Sequence, residues 1–136
     1  MSSGDNGVRG DAAPILDHGV LERLAMDTSP AVAPHLIEMF LADCAERCSH
    51  MARALATEDR ETIERQSHTL ASSAVTFGAM RLHHRAAEIE EACKRGDWTL
   101  ALERAGTMAD LGRVTAQAME AYLAASSHLP HGGEIP

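Results

Sequence analysis

A long run of apolar residues at helical spacing extends from Leu36 to Leu55, and it limits what this chain can fold into. Its members recur every three or four positions, which places them on one face of an α-helix. They are Leu36, Ile37, Phe40, Leu41, Cys44, Cys48, Met51 and Leu55. Aromatic residues make up only 3% of the chain, so its core has to be built mainly from aliphatic side chains. Such a composition disfavours a β-sheet, where aromatic and β-branched side chains are enriched.

Four further segments have the same spacing, and capping or helix-breaking residues separate them. The first predicted helix is short and covers 15–26, and the second extends from the Ser29-Pro30 cap to about Ala56. The third follows Thr57-Glu58-Asp59 and ends at Gly78, and the fourth ends at Lys94-Arg95-Gly96. The fifth extends from Asp97 through Leu123, with Val114 among its apolar positions. Long helices joined by short connections are typical of bundles. The sequence therefore predicts an all-α protein, an antiparallel four-helix bundle with a short additional N-terminal helix.

The two ends of the chain differ in composition from this helical part. Residues 1–13 are rich in glycine, serine and aspartate and contain no apolar repeat. Residues 126–136 contain two prolines and two glycines. Segments of this kind bury too little apolar surface to fold by themselves. We therefore expect a disordered N-terminal tail over 1–13, the bundle over 14–125 and a disordered C-terminal tail over 126–136.

Charge and cysteine content narrow the class of partner. The net charge of -8 argues against a nucleic acid, because phosphate repels an acidic surface. No apolar run has the length of a membrane span, and the start has no signal-peptide core, so we expect a cytoplasmic protein without membrane contact. Cys44, Cys48 and Cys93 are predicted to be reduced, packed thiols. Cys44 and Cys48 are one helical turn apart and would need further ligands to hold a metal ion.

The third predicted helix carries a histidine on its outer face. If Ile63, Leu70 and Ala74 point into the core, a rotation of about 100° per residue turns His68 outward. Glu64, Arg65, Ser72 and Val75 share that face. An exposed imidazole is partly unprotonated at neutral pH, so one ring nitrogen has a lone pair available for nucleophilic attack. Periodicity alone also allows a surface histidine without any role.

Several short motifs are similar to one known family in their order and spacing. Ser67-His68-Thr69-Leu70, Phe77-Gly78-Ala79, the Ile89-Glu90 pair and Arg95-Gly96-Asp97 resemble the histidine-containing phosphotransfer (HPt) domain of bacterial phosphorelays, over roughly 15–123. The resemblance implies that His68 accepts a phosphoryl group from a receiver-domain aspartate and passes it to another. It further implies a monomer whose partners are response-regulator receiver domains and a hybrid sensor kinase. The receiver supplies Mg²⁺, and this chain binds no cofactor.

The sequence departs from the family at two positions beside the histidine. The lysine that usually follows it by three residues is Ala71, and the glycine that usually follows by four is Ser72. Arg65 lies one turn before His68 and could replace the missing charge in part. The Ser72 hydroxyl could hydrogen-bond the ring or the phosphoryl group. The docking surface for a receiver is expected to include Glu64, Ala71 and Val75.

Three classes of function remain open at this point. The first is a phosphotransfer intermediate without ATP-dependent kinase activity of its own, since the chain lacks a Gly-rich nucleotide loop. The second is a phosphorylation-incompetent bundle that binds a receiver or another signalling protein through the His68 face. The third is a metal- or cofactor-binding bundle that uses histidine, cysteine and methionine. His83 and His84 are interpreted as part of a solvated face, because adjacent helical residues point in different directions.

Overall fold

The computed structural model describes residues 12–128, and within that range every regular element is an α-helix. The predicted tail positions 1–11 and 129–136 lie outside the described residues. The helices are α1 (His18–Asp27), α2 (Ala33–Thr57), α3 (Arg60–Thr76), α4 (Met80–Arg95), α5 (Trp98–Ala105) and α6 (Met108–His128). The predicted all-α class is confirmed.

The long helices form a closed bundle around one apolar core. Helix α3 packs between α2 and α4, and α5 and α6 together occupy the fourth position, where they contact both α4 and α2. Short connections join consecutive helices, which is the arrangement of antiparallel neighbours. The fully buried large side chains come from every helix except α5; they include Leu21, Ile37, Met51, Ile63, Leu70, Leu82, Ile89 and Met119.

The N-terminal helix begins later than predicted, because Asp17 caps it. The Asp17 carboxylate accepts a hydrogen bond from the backbone N–H of Gly19 at 2.9 Å, and α1 starts at His18 rather than near residue 15. The preceding backbone is bonded to the start of α4 instead: the carbonyl of Ile15 accepts from the N–H of Met80 at 3.2 Å. Ala13, which was assigned to a disordered tail, accepts a hydrogen bond from the Arg81 side chain at 2.7 Å.

The second helix begins at Ala33, after a turn rather than at the predicted Ser29-Pro30 cap. Ser29 still acts as a local acceptor, since its Oγ receives the N–H of Val32 at 3.0 Å. Pro34 lies in the first turn, where its missing N–H costs nothing. The predicted serine cap of this helix is therefore wrong: its N-cap is Val32, which makes no side-chain cap hydrogen bond, and Ser29 bonds the turn that precedes the helix.

The predicted fifth helix is two helices. Helix α5 ends at Ala105 and α6 begins at Met108, with Gly106 and Thr107 between them. Glycine in a helix interior costs up to about 1 kcal/mol relative to alanine. The Thr107 hydroxyl adds a local bond to the Arg104 carbonyl at 2.7 Å. Local hydrogen bonding of this kind competes with a continuous helix.

Helix α6 also differs from the prediction in which residues face the core and in where the helix ends. Val114 is exposed, and the neighbouring Thr115 is buried in its place, with its hydroxyl bonded to the Leu111 carbonyl at 2.8 Å. The helix continues to His128, so the bundle does not end at residue 125 as predicted.

Candidate functional site

Helix α3 starts at a strong cap and turns His68 away from the core. The Asp59 carboxylate accepts hydrogen bonds from the Thr62 N–H at 3.2 Å and the Thr62 hydroxyl at 2.7 Å, as the capping sequence predicted. Ile63, Leu70 and Ala74 are buried. The side chain of His68 is 70% exposed, so its predicted outward orientation is confirmed.

The imidazole of His68 is held by a carboxylate from the neighbouring helix. His68 Nδ1 lies 2.7 Å from Glu90 Oε2 on α4. The same oxygen lies 3.2 Å from Lys94 Nζ, one turn further along α4. Glu90 is 16% exposed, whereas Lys94 is 59% exposed. The three side chains form a line across α3 and α4, with the carboxylate in the middle.

The hydrogen bonds at Glu90 keep its carboxyl group ionised. Burial by itself raises the pKa of Glu90, but the hydrogen bonds from His68 and Lys94 lower that pKa below its ordinary value. An ionised carboxylate can only accept hydrogen bonds. Nδ1 of His68 is therefore the protonated nitrogen of the neutral ring, and Nε2 carries the free lone pair.

Arg65 does not extend toward His68. Its Nη2 lies 3.3 Å from the Thr62 hydroxyl, one turn toward the start of α3. Side chains on a helix lean toward its N-terminus, so a residue placed before the histidine leans away from it. The cation that shares a hydrogen-bond partner with His68 is Lys94 rather than Arg65.

The expectation that Ala71 contributes to a docking surface is wrong. Ala71 is only 8% exposed, because it packs where α3 faces α4. Its carbonyl accepts a hydrogen bond from Nδ1 of His83 at 2.7 Å. His83 is partly buried by this contact, which also corrects its assignment to a solvated face.

The other predicted surface residues are accessible to different degrees. Ser72 is exposed one turn beyond His68. Because helical side chains lean toward the N-terminus of the helix, the Ser72 side chain leans toward the histidine. Val75 is 41% exposed, so an apolar side chain lies next along the same face. Glu64 is half-buried near α4 and raises the pKa of the Cys93 thiol, although burial is the larger cause of that shift.

Sequence reasoning missed the roles of Glu90 and Lys94. In the sequence, Glu90 belongs to the Ile89-Glu90 motif, and Lys94 lies at the predicted end of the fourth helix. Their sequence distance from His68 gives no sign of contact, since only the packing of α4 on α3 brings them together. The available signal was the i,i+4 spacing of Glu90 and Lys94, which predicts an ion pair on one face of α4.

The described residues contain no group of three or more histidine, cysteine, aspartate or glutamate side chains that could hold a metal ion. Within the same residues, no helix is long and apolar enough to cross a membrane.

Comparisons with known proteins agree with this architecture. The crystal structure of histidine-containing phosphotransfer protein B (HptB) from Pseudomonas aeruginosa PAO1 has a similar fold, with a TM-score of 0.74 and 24% sequence identity over 82% of this chain and 96% of that chain. None of the curated proteins matches the chain. The family model for the Hpt domain matches residues 35–128, which is most of the chain. The chain belongs to the Hpt domain family.

Proposed function

We propose that this protein relays a phosphoryl group between receiver-domain aspartates, with Nε2 of His68 as the atom that accepts it. The observation that carries the proposal is the exposed imidazole whose Nδ1 is bonded to Glu90 at 2.7 Å. In the neutral ring that contact leaves Nε2 as the nitrogen with the lone pair, and it is open to a partner. Membership of the Hpt domain family supports the assignment of this nitrogen to phosphoryl transfer rather than to metal binding.

The reaction makes and breaks one bond to phosphorus. The lone pair of Nε2 attacks the phosphorus of an aspartyl phosphate on a receiver, and the bond between phosphorus and the aspartate oxygen breaks. The leaving aspartate departs as a carboxylate. The ring then carries a positive charge, because Nδ1 keeps its proton, and the negative Glu90 stabilises that charge at close range. Reversal of the same steps returns the phosphoryl group to a second receiver.

Lys94 compensates in part for the lysine that the family usually has at the position of Ala71. Its ammonium group lies against Glu90, on a flexible and largely exposed side chain. An ammonium group there can interact with the phosphoryl oxygens as a point charge once the group is transferred. Ser72, on the same side as the ring, offers a hydroxyl to those oxygens.

The surroundings of His68 also favour docking of another protein. Val75 supplies an exposed apolar contact beside the histidine. Mg²⁺ is expected on the receiver, and no step assigned to this chain requires a bound metal. The phosphoryl donor and acceptor are then cytoplasmic response-regulator receivers, including the receiver of a hybrid sensor kinase.

A transfer assay tests the proposal. The chain is mixed with a receiver domain that has been phosphorylated with a radioactive small-molecule phosphodonor, and label on the chain is measured in the wild type and in His68→Gln. We expect acid-labile label on the wild type and none on His68→Gln. His84→Gln is the matched control, because it removes a histidine that lies on α4 instead of α3 and should leave labelling unchanged.

A different pattern would favour the phosphorylation-incompetent bundle. If the wild type binds the receiver measurably but takes no label from any phosphorylated receiver tested, the relay is excluded. If His68→Gln takes label as well as the wild type, His68 is not the acceptor.

A further inference from the structure

Two cysteines form a pair on α2, where that helix packs against α6. Cys44 and Cys48 are one helical turn apart, and both side chains are buried. The Cys48 S–H donates to the Met108 carbonyl, with Sγ and the oxygen 3.8 Å apart. The proposed phosphotransfer uses neither of them, so an inference about this pair stands independently of that function.

A cavity of about 270 Å³ lies beside the two sulfurs, between α2 and α6. Most of the residues around it are small, among them Ala45, Ser49 and Gly112 beside Cys44 and Cys48. Ala45 and Ser49 are exposed, so the cavity is open to solvent at its rim. A Cβ atom at Gly112 would lie 3.1 Å from the sulfur of Cys48. The glycine therefore keeps the space next to that sulfur free.

The two thiols do not ionise equally. The interaction between the two side chains raises the pKa of Cys44, with burial as a further cause, and lowers the pKa of Cys48. A thiolate is the form that attacks electrophiles and binds soft metals. The lowered pKa favours the thiolate at Cys48, one helical turn from the second sulfur.

The spacing of the pair selects the kind of ligand. Cβ atoms at i and i+4 of a helix are about 5–6 Å apart, whereas a disulfide needs about 3.5–4.5 Å. A direct bond between the sulfurs would therefore distort α2, but one bridging atom can bind both. Structural zinc takes four protein ligands, and the described residues offer no group of three. A thiophilic atom that requires only two protein sulfurs fits this site.

We propose that Cys44 and Cys48 form a dithiol site for a trivalent arsenical that carries one organic substituent, with both sulfurs bonded to arsenic and the substituent in the adjacent cavity. In the reaction with phenylarsonous acid, each sulfur forms a bond to arsenic and one arsenic–hydroxyl bond breaks per sulfur. The two hydroxide groups leave as water with the two thiol protons. Arsenic stays trivalent, so the step needs no oxidant or reductant. The small apolar side chains around the cavity favour the organic substituent over a bare ion.

Titration of the full chain with phenylarsine oxide tests this site, with intact mass and the number of reactive thiols as readouts. We expect one adduct per chain and the loss of two of the three thiols. The adduct should survive an excess of glutathione, because two bonds to one chain must break together. Cys44→Ser and Cys48→Ser should each lose the adduct under that challenge. Cys93→Ser is the matched control, since Cys93 is buried on α4 and outside the cavity, and it should keep the adduct.

A second variant tests the cavity without removing a sulfur. Gly112→Ala places a methyl group against Cys48 and should lower the affinity for phenylarsine oxide about fivefold or more. Circular dichroism shows whether each variant is folded. The proposal is overturned if the wild type forms the adduct only after denaturation, if either single serine variant retains it, or if folded Gly112→Ala binds as tightly as the wild type.

Discussion

At the scale of single residues, the carboxylate of Glu90 decides what His68 can do. It accepts hydrogen bonds from Nδ1 of His68 and from Nζ of Lys94. An imidazole bonded in this way has one tautomer and a fixed ring orientation, which leaves Nε2 as the available nucleophile. In the proposed transfer, the same carboxylate stabilises the positive charge that the ring acquires when Nε2 binds phosphorus.

Replacement of Glu90 by glutamine should slow phosphotransfer without removing it. The amide can still accept a hydrogen bond from Nδ1, but it cannot stabilise a charged ring. We expect a rate about 10- to 100-fold lower, the range seen when an orienting partner of an imidazole is lost. Rapid-quench measurement of label transfer from a phosphorylated receiver checks this. Glu91→Gln is the control, because Glu91 pairs with Arg95; equal rates in the two variants would contradict the role of Glu90.

Lys94 should matter more than the cation next to it in the chain. Lys94→Gln removes a charge that can bind the transferred phosphoryl group, and a charge-assisted hydrogen bond contributes about 1.5–3 kcal/mol. The transfer rate should fall about 10- to 100-fold, with partial recovery in Lys94→Arg. Arg95→Gln removes a neighbouring cation that pairs with Glu91 and Asp97, and its rate should match the wild type. If Arg95→Gln is as slow as Lys94→Gln, the effect is general surface charge.

At the scale of helices and their ends, two glycines with positive φ differ in how closely other residues pack against them. Gly96 ends α4 with φ +77° and has open space around it. Gly78 follows α3 with φ +75°, and its missing Cβ would lie 2.9 Å from the backbone oxygen of Asp17. Its own carbonyl accepts the N–H of Asp17 at 2.8 Å. Gly78 thus ends the helix that carries His68 and also brings the N-terminal segment into contact with it.

Alanine at these two positions separates backbone strain from close packing. Gly96→Ala should lower the free energy of unfolding by about 1–2 kcal/mol, the cost of the left-handed conformation. Gly78→Ala should cost about 1–3 kcal/mol more, because its methyl group would also displace the backbone at Asp17. Urea denaturation of both variants measures the difference. Equal losses would mean that the contact between Gly78 and Asp17 contributes nothing to stability.

At the scale of the whole molecule, one helix serves two surfaces. The inner face of α3 contributes Ile63, Leu70 and Ala74 to the common core, whereas its outer face presents His68 and Val75 to solvent. The net charge of -8 gives no long-range attraction to the acidic phosphorylation pocket of a receiver. Short-range contacts around His68 are therefore expected to decide docking.

Substitutions on the two faces of α3 should separate stability from docking. Leu70→Ala removes a fully buried side chain and should lower the free energy of unfolding by about 2–5 kcal/mol. The fraction that remains folded should bind a receiver normally. Val75→Ala should change stability by less than about 0.5 kcal/mol but weaken receiver binding. Thermal melts and binding titrations of both variants check this, and unchanged binding in Val75→Ala would remove Val75 from the docking surface.

The sequence by itself determined the helical class, most helix ends and the exposure of His68, because these follow from local rules. Apolar spacing sets which face of a helix is buried, and Asp59, Gly78 and Gly96 act on residues within one turn. The same rules failed where two local preferences were close in energy. They did not separate α5 from α6 at Gly106, and they assigned Val114 rather than Thr115 to the buried side.

Only the tertiary structure decided which side chains surround His68. Glu90 reaches the histidine, with Lys94 bonded to the same carboxylate, because α4 packs against α3, and Ala71 is buried for the same reason. Arg65 was a reasonable substitute for the missing lysine by sequence spacing, but its side chain follows the helix direction toward Thr62. Contacts between helices depend on the register in which two surfaces pack, and that register is set by the whole core rather than by any local segment.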